Sequence, residues 1–132
     1  MRYSGCKNKY RCRYSGIKGF FRLYLVNPKN TLYSLHKQLR ADLEFTVDQP
    51  ILFKAFDAEG NVVGRYALID LGSGSVDNVT IADTVKSGAV SFQYFYDIKG
   101  KKSVIVTLEE EDRASNVQTP RCIETKGPVP AE

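Results

Sequence analysis

Residues 90–109 constrain this chain more than any other stretch. VSFQYFYDI and SVIVTLE flank the tetrapeptide Lys99-Gly100-Lys101-Lys102. Side chains alternate between the two faces of a strand, so Phe92, Tyr94 and Tyr96 share one face. Val104, Val106 and Leu108 do the same on the partner strand. Two such strands around a short glycine-containing turn predict an antiparallel hairpin with one apolar face.

The same period recurs upstream. Residues 17–26, IKGFFRLYLV, are rich in aromatic and branched side chains and predict the first strand of the body. Asn27-Pro28-Lys29-Asn30 breaks it, because proline fixes φ and asparagine favours turns. In residues 31–38 the signals divide. Leu32, Leu35 and Leu39 have helical spacing behind a Thr31 cap, yet the neighbouring pattern has a period of two, which favours a strand. That neighbour is residues 41–47, where Ala41, Leu43, Phe45 and Val47 alternate with Asp42, Glu44 and Thr46. Residues 51–56 and 62–69 predict a second hairpin around Asp57-Ala58-Glu59-Gly60-Asn61. Residues 70–78 read as a small, polar loop and residues 79–85 as a further strand.

Seven or eight short strands with turns about every ten residues predict an all-β fold in one domain. The expected architecture is an antiparallel β-sandwich or jelly roll, a barrel being the other option, with extended irregular N- and C-terminal arms. No strand–helix alternation points to a parallel α/β sheet. The expected division is a basic aromatic arm over 1–16, a β-sandwich over 17–112 and a proline-containing extended tail over 113–132. A length of 132 residues, 42% of them hydrophobic, suffices for a core without covalent staples.

Charge supplies the functional lead. The chain has 19 basic and 15 acidic residues, and seven basic and no acidic ones lie in 1–22. The remaining 110 positions thus hold 12 basic residues against 15 acidic. Tyr3, Tyr10 and Tyr14 are interleaved with the cations, and Arg2-Tyr3-Ser4-Gly5 recurs as Arg13-Tyr14-Ser15-Gly16. A basic segment on a mildly acidic body suits an interaction tail. Tyrosine and arginine serve both nucleic-acid stacking and protein interfaces. The expected contact residues are Arg2, Tyr3, Lys7, Lys9, Tyr10, Arg11, Arg13, Tyr14 and Lys18. Phe20, Phe21 and Tyr24 belong rather to the faces of the first body strand.

Motifs for chemistry are sparse. His36 is the single histidine, and no nucleophile–base set, phosphate-binding loop or zinc-protease motif accompanies it. Cys6, Cys12, His36 and Cys122 formally make a zinc set, but the spacing of the first pair and the distant Cys122 speak against it. Asp70 and Asp77 lack the alternating ligands of a calcium loop. No catalytic residue, cofactor or metal is therefore expected. Three cysteines leave at least one unpaired, whether or not Cys6 and Cys12 bridge. With no secretory signal in view, that favours a reducing compartment or a virion. No apolar run approaches the roughly 18 residues of a membrane span.

The composite expectation is a non-enzymatic structural or assembly protein, such as a building block of a virus or phage particle. Its basic arm would touch neighbouring subunits or packaged nucleic acid. The alternatives are a nucleic-acid-binding β-barrel of OB-like or ribosome-associated type, and a ligand-binding β-domain. The nucleic-acid reading needs cations and aromatic rings on the sheet itself.

Overall fold

Seven antiparallel strands hydrogen-bond into one sheet in the order β4-β3-β5-β6-β1-β2-β7. The strands are β1 (Lys7–Tyr14), β2 (Phe21–Val26), β3 (Phe53–Phe56), β4 (Val62–Tyr66), β5 (Ser91–Asp97), β6 (Lys102–Asp112) and β7 (Arg121–Lys126). Among the described residues there are also two helices, α1 (Leu32–Asp42) and α2 (Ile81–Lys86). This computed structural model describes residues 7–14, 17–112 and 119–130. The all-β, antiparallel, single-domain class expected from the sequence is the one that forms.

The hairpin at 90–109 forms as its alternation requires. Phe92 pairs with Val106 and Tyr94 with Val104, and all four are buried. Phe53 and Ala55 of β3 continue that face, and Tyr10, Cys12 and Tyr14 extend it through β1. Leu32, Leu35 and Leu39 of α1 pack into the same cluster, so the helices cover this face of the sheet.

Residues 31–38 and 79–85 are helical, not strands. Leu32, Leu35, Leu39 and Leu43 form one stripe at helical spacing, and all four are buried. Thr31 caps α1 by accepting from the Ser34 N–H at 3.2 Å. Thr80 and Asp83 make a reciprocal capping box at α2. The segment leading into each helix also caps the other: Leu32 and Tyr33 N–H donate to Val79 and Val76 carbonyls, while Ile81 and Ala82 N–H donate to Asn30 and Pro28 carbonyls. Four donors that a first helical turn leaves open are thereby met. The strand expected at 41–47 is instead the end of α1, a left-handed Glu44 (φ 58°) and an extended run. Leu43 and Phe45 still point inward, Phe45 stacking on Tyr96 at 4.3 Å.

Neither terminal segment is irregular throughout. The arm expected over 1–16 is a central strand from Lys7 to Tyr14, hydrogen-bonded to β2 on one side and β6 on the other. Its physical reason is the alternation of Lys9, Arg11 and Arg13 with Tyr10, Cys12 and Tyr14, an amphipathic pattern of period two. Within the expected tail 113–132, residues 121–126 form β7 along β2 at the sheet edge.

Candidate functional site

One face of the sheet has no helix on it, and β1 sets its character. Tyr10 and Cys12 are 0% exposed and Tyr14 is 9% exposed, all on the helix side. Lys9, Arg11 and Arg13 occupy the opposite, helix-free face. Leu23 and Leu25 of β2 also lie there; they are 6% and 4% exposed yet stand outside the main core cluster. Their cross-strand neighbours are Lys9, Arg11, Arg121 and Glu124, whose aliphatic stems flank the leucines while the charged ends reach water.

Arg11 is fixed in place. Its Nε and Nη2 donate to Glu109 at 2.8 and 3.0 Å, and its guanidinium lies 4.2 Å over the Phe21 ring. The bidentate contact holds the Glu109 carboxyl below the usual carboxylate range and raises the Arg11 guanidinium. Arg11 is therefore held against Glu109 and Phe21 by three contacts on this face.

The other cations form a line. Residues paired directly across an antiparallel ladder share a face. Arg65 pairs with Lys54, Lys54 with Gln93, Gln93 with Ile105 and Ile105 with Arg13. Beyond Arg13, Phe21 pairs with Lys126. This row crosses all seven strands and carries Arg65, Lys54, Arg13 and Lys126 with no acidic member. Six inter-strand steps make it roughly 29 Å long. Lys54 and Arg65 stand directly opposite each other, which disfavours the bare sheet. Lys54 leans over Phe95, its Nζ 5.7 Å from the ring centre.

At the β7 end, Arg13, Lys18 and Lys126 line a cleft of about 360 Å³ with Phe20 and Phe21. Among the described residues, none of these three cations pairs with a carboxylate. On the helix side of β2, opposite buried Cys12, the Arg22 Nη1 donates to the Phe21 and Lys126 carbonyls at 3.0 and 3.1 Å. Its guanidinium lies 4.5 Å over Phe20.

The expected contact residues thus separate. Lys9, Arg11 and Arg13 reach the helix-free face, and Lys18 borders the cleft. Tyr10 and Tyr14 belong to the core, because even-numbered residues of β1 face the helices. Lys7 opens β1, while Arg2 and Tyr3 lie outside the described residues. Lys54, Arg65 and Lys126 were missed. The 51–66 hairpin could have aligned Lys54 with Arg65, but nothing in the sequence brings that hairpin into line with Arg13.

Elsewhere, His36 Nδ1 is 2.7 Å from the Tyr94 hydroxyl. Burial pushes that hydroxyl up to about 12, so it remains protonated and can donate to a neutral imidazole. Cys12 and Cys122 are free thiols, and burial pushes the former up to about 12. Cys6 lies outside the described residues. Among those described, no three His, Cys, Asp or Glu side chains gather as metal ligands. No helix among them is long and apolar enough to cross a membrane.

No protein-family model and no curated protein matches the chain. In structure it is similar to a protein of unknown function from Methanosarcina mazei Go1, with a TM-score of 0.73 and 20% identity. The likeness covers 91% of this chain and 68% of that one, and at this identity it bears on the fold alone.

Proposed function

We propose that the chain is a non-enzymatic binding domain that lays single-stranded nucleic acid across its helix-free sheet face. The observation that carries this reading is the acid-free row of Arg65, Lys54, Arg13 and Lys126. A flexible polyanion matches a straight line of cations, and Phe21 and Phe95 supply ring surface beside it for bases. The sheet-borne cations and rings that this reading demands are present, whereas the free arm behind an arm-mediated assembly is a strand over 7–14.

The test is fluorescence anisotropy with a labelled single-stranded oligonucleotide over a salt series. Four neutralised phosphates give a slope of log affinity against log salt of roughly −3, about 0.7 per contact. Lys54→Gln with Arg65→Gln lowers affinity and flattens the slope by about 1.4. Binding indifferent to salt, or unchanged in that double variant, sinks the reading.

A second reading, a subunit of a larger assembly such as a virion, is favoured by one loop. Leu68, Ile69 and Leu71 are 55%, 70% and 48% exposed after β4, an apolar surface suited to a protein neighbour. Light scattering on native material separates the readings: a lone monomer removes the assembly.

A further inference from the structure

We infer that the cleft between Arg13, Lys18 and Lys126 is a phosphate-anchoring site that takes the phosphomonoester end of a nucleic-acid strand. This deepens the nucleic-acid reading of the same face and rests on it. The row of cations has two ends of different build. At the β4 end, Arg65 stands exposed on an edge strand. At the β7 end, the row opens into a half-open cleft lined by three exposed cations with Phe20 and Phe21.

The convergence of cations points to an anion there. Arg13, Lys18 and Lys126 line one cleft with no carboxylate partner among the described residues, an arrangement that their mutual repulsion disfavours. All three cations reach solvent, so the charge they present to the cleft is open to an incoming anion.

The anion's chemistry follows from the lining. A phosphomonoester carries close to two negative charges near neutral pH and three acceptor oxygens, where a strand's internal phosphodiester carries one. Two lysine ammoniums and an arginine fork suit it. Phe20 is held edge-on by Tyr14 at 5.0 Å, and Phe21 carries the Arg11 guanidinium. Phe20 is buried in the core, so Phe21, half-buried and held by Arg11, is the ring that the adjoining nucleoside meets. The rim is tight as well: Gly127 has φ 79°, and a Cβ there would stand 2.6 Å from the Gly19 carbonyl oxygen.

Two measurements decide the matter. In anisotropy, one oligonucleotide is compared with and without its terminal phosphate. The phosphorylated strand binds about tenfold tighter to the wild type. Lys18→Gln with Lys126→Gln erases that difference, and Arg65→Gln weakens both strands without erasing it. In NMR, adenosine monophosphate shifts the backbone amides of Lys18, Gly19, Phe21 and Lys126, while adenosine leaves them unmoved. Equal strand affinities with unmoved amides overturn the anchor while leaving the nucleic-acid face standing. Shifted amides without binding of either strand uphold the anchor and overturn the face. Silence in both overturns both.

Discussion

Tyr10 and Tyr24 face each other across β1 and β2, and neither buried hydroxyl has a hydrogen-bond partner among the described residues. Asn8 and Thr84 lie beside the first and Asp42 beside the second, without hydrogen-bond geometry, and burial raises both hydroxyls. A buried oxygen that forms no bond carries its desolvation cost uncompensated. Tyr24→Phe is therefore expected to leave stability unchanged or raise it by about 1 kcal/mol in urea unfolding. A loss of similar size would show that the oxygen has a partner after all. His36 gives the pH counterpart. Burial, then Arg40 and Lys37, lower its pKa beneath the ordinary 6.5, so the unfolded chain binds its proton more readily. Stability from this residue is complete above that value and declines as pH falls through it toward the folded pKa. Urea midpoints between about pH 8 and pH 5 should drop more in the wild type than in His36→Gln. Equal drops would exclude the histidine as the cause. At this scale the sequence was half legible. The alternation in residues 9–14 was visible, but the dense charge read as an interaction arm outside the sheet. Which tyrosines turn inward depends on where the helices lie.

The helices show how a local signal loses to its surroundings. Leu32, Leu35 and Leu39 behind Thr31 spelled a helix, and the period-two run at 41–47 argued against it. Both patterns are real: the helical stripe continues to Leu43, and the extended segment after Glu44 still turns Phe45 inward. In residues 79–85, branched residues suggested a strand although Thr80 and Asp83 already had capping-box spacing. Thr80→Ala should cost about 1 kcal/mol, because it removes the acceptor for the Asp83 N–H at 3.2 Å. Thermal unfolding measures this, and an unshifted midpoint would make the cap dispensable. The two hairpins were legible because their pairing is local. The contacts of β7 were not, since its partner β2 lies a hundred residues away in sequence, as Phe21 opposite Lys126 shows.

Across the whole molecule, β1 joins one half of the sheet to the other. On one side stand β6, β5, β3 and β4; on the other, β2 and β7. Deleting residues 1–16 as though they were an appendage would divide the sheet between β6 and β2. That variant should lose cooperative urea unfolding and near-ultraviolet circular dichroism. Retention of both would restore the arm. The row of cations depends on the same join, because Arg13 lies between the hairpin-borne Lys54 and Arg65 and the β7 residue Lys126. Each strand supplies at most one charge to it, so the line was invisible in a sequence whose basic excess sits in residues 1–22.

The position of β1 also bears on how a ribosome would deliver this protein. Its first neighbour, β2, follows at once, but its second ends at Asp112. Until then the nascent chain presents an unpaired strand edge, with Tyr10, Cys12 and Tyr14 lacking much of their eventual cover. Such an edge is an invitation to mispair. The alternating cations at 9, 11 and 13 repel a second copy of the same edge. Charges placed to meet a partner in the finished domain would thus keep the unfinished one apart from its siblings.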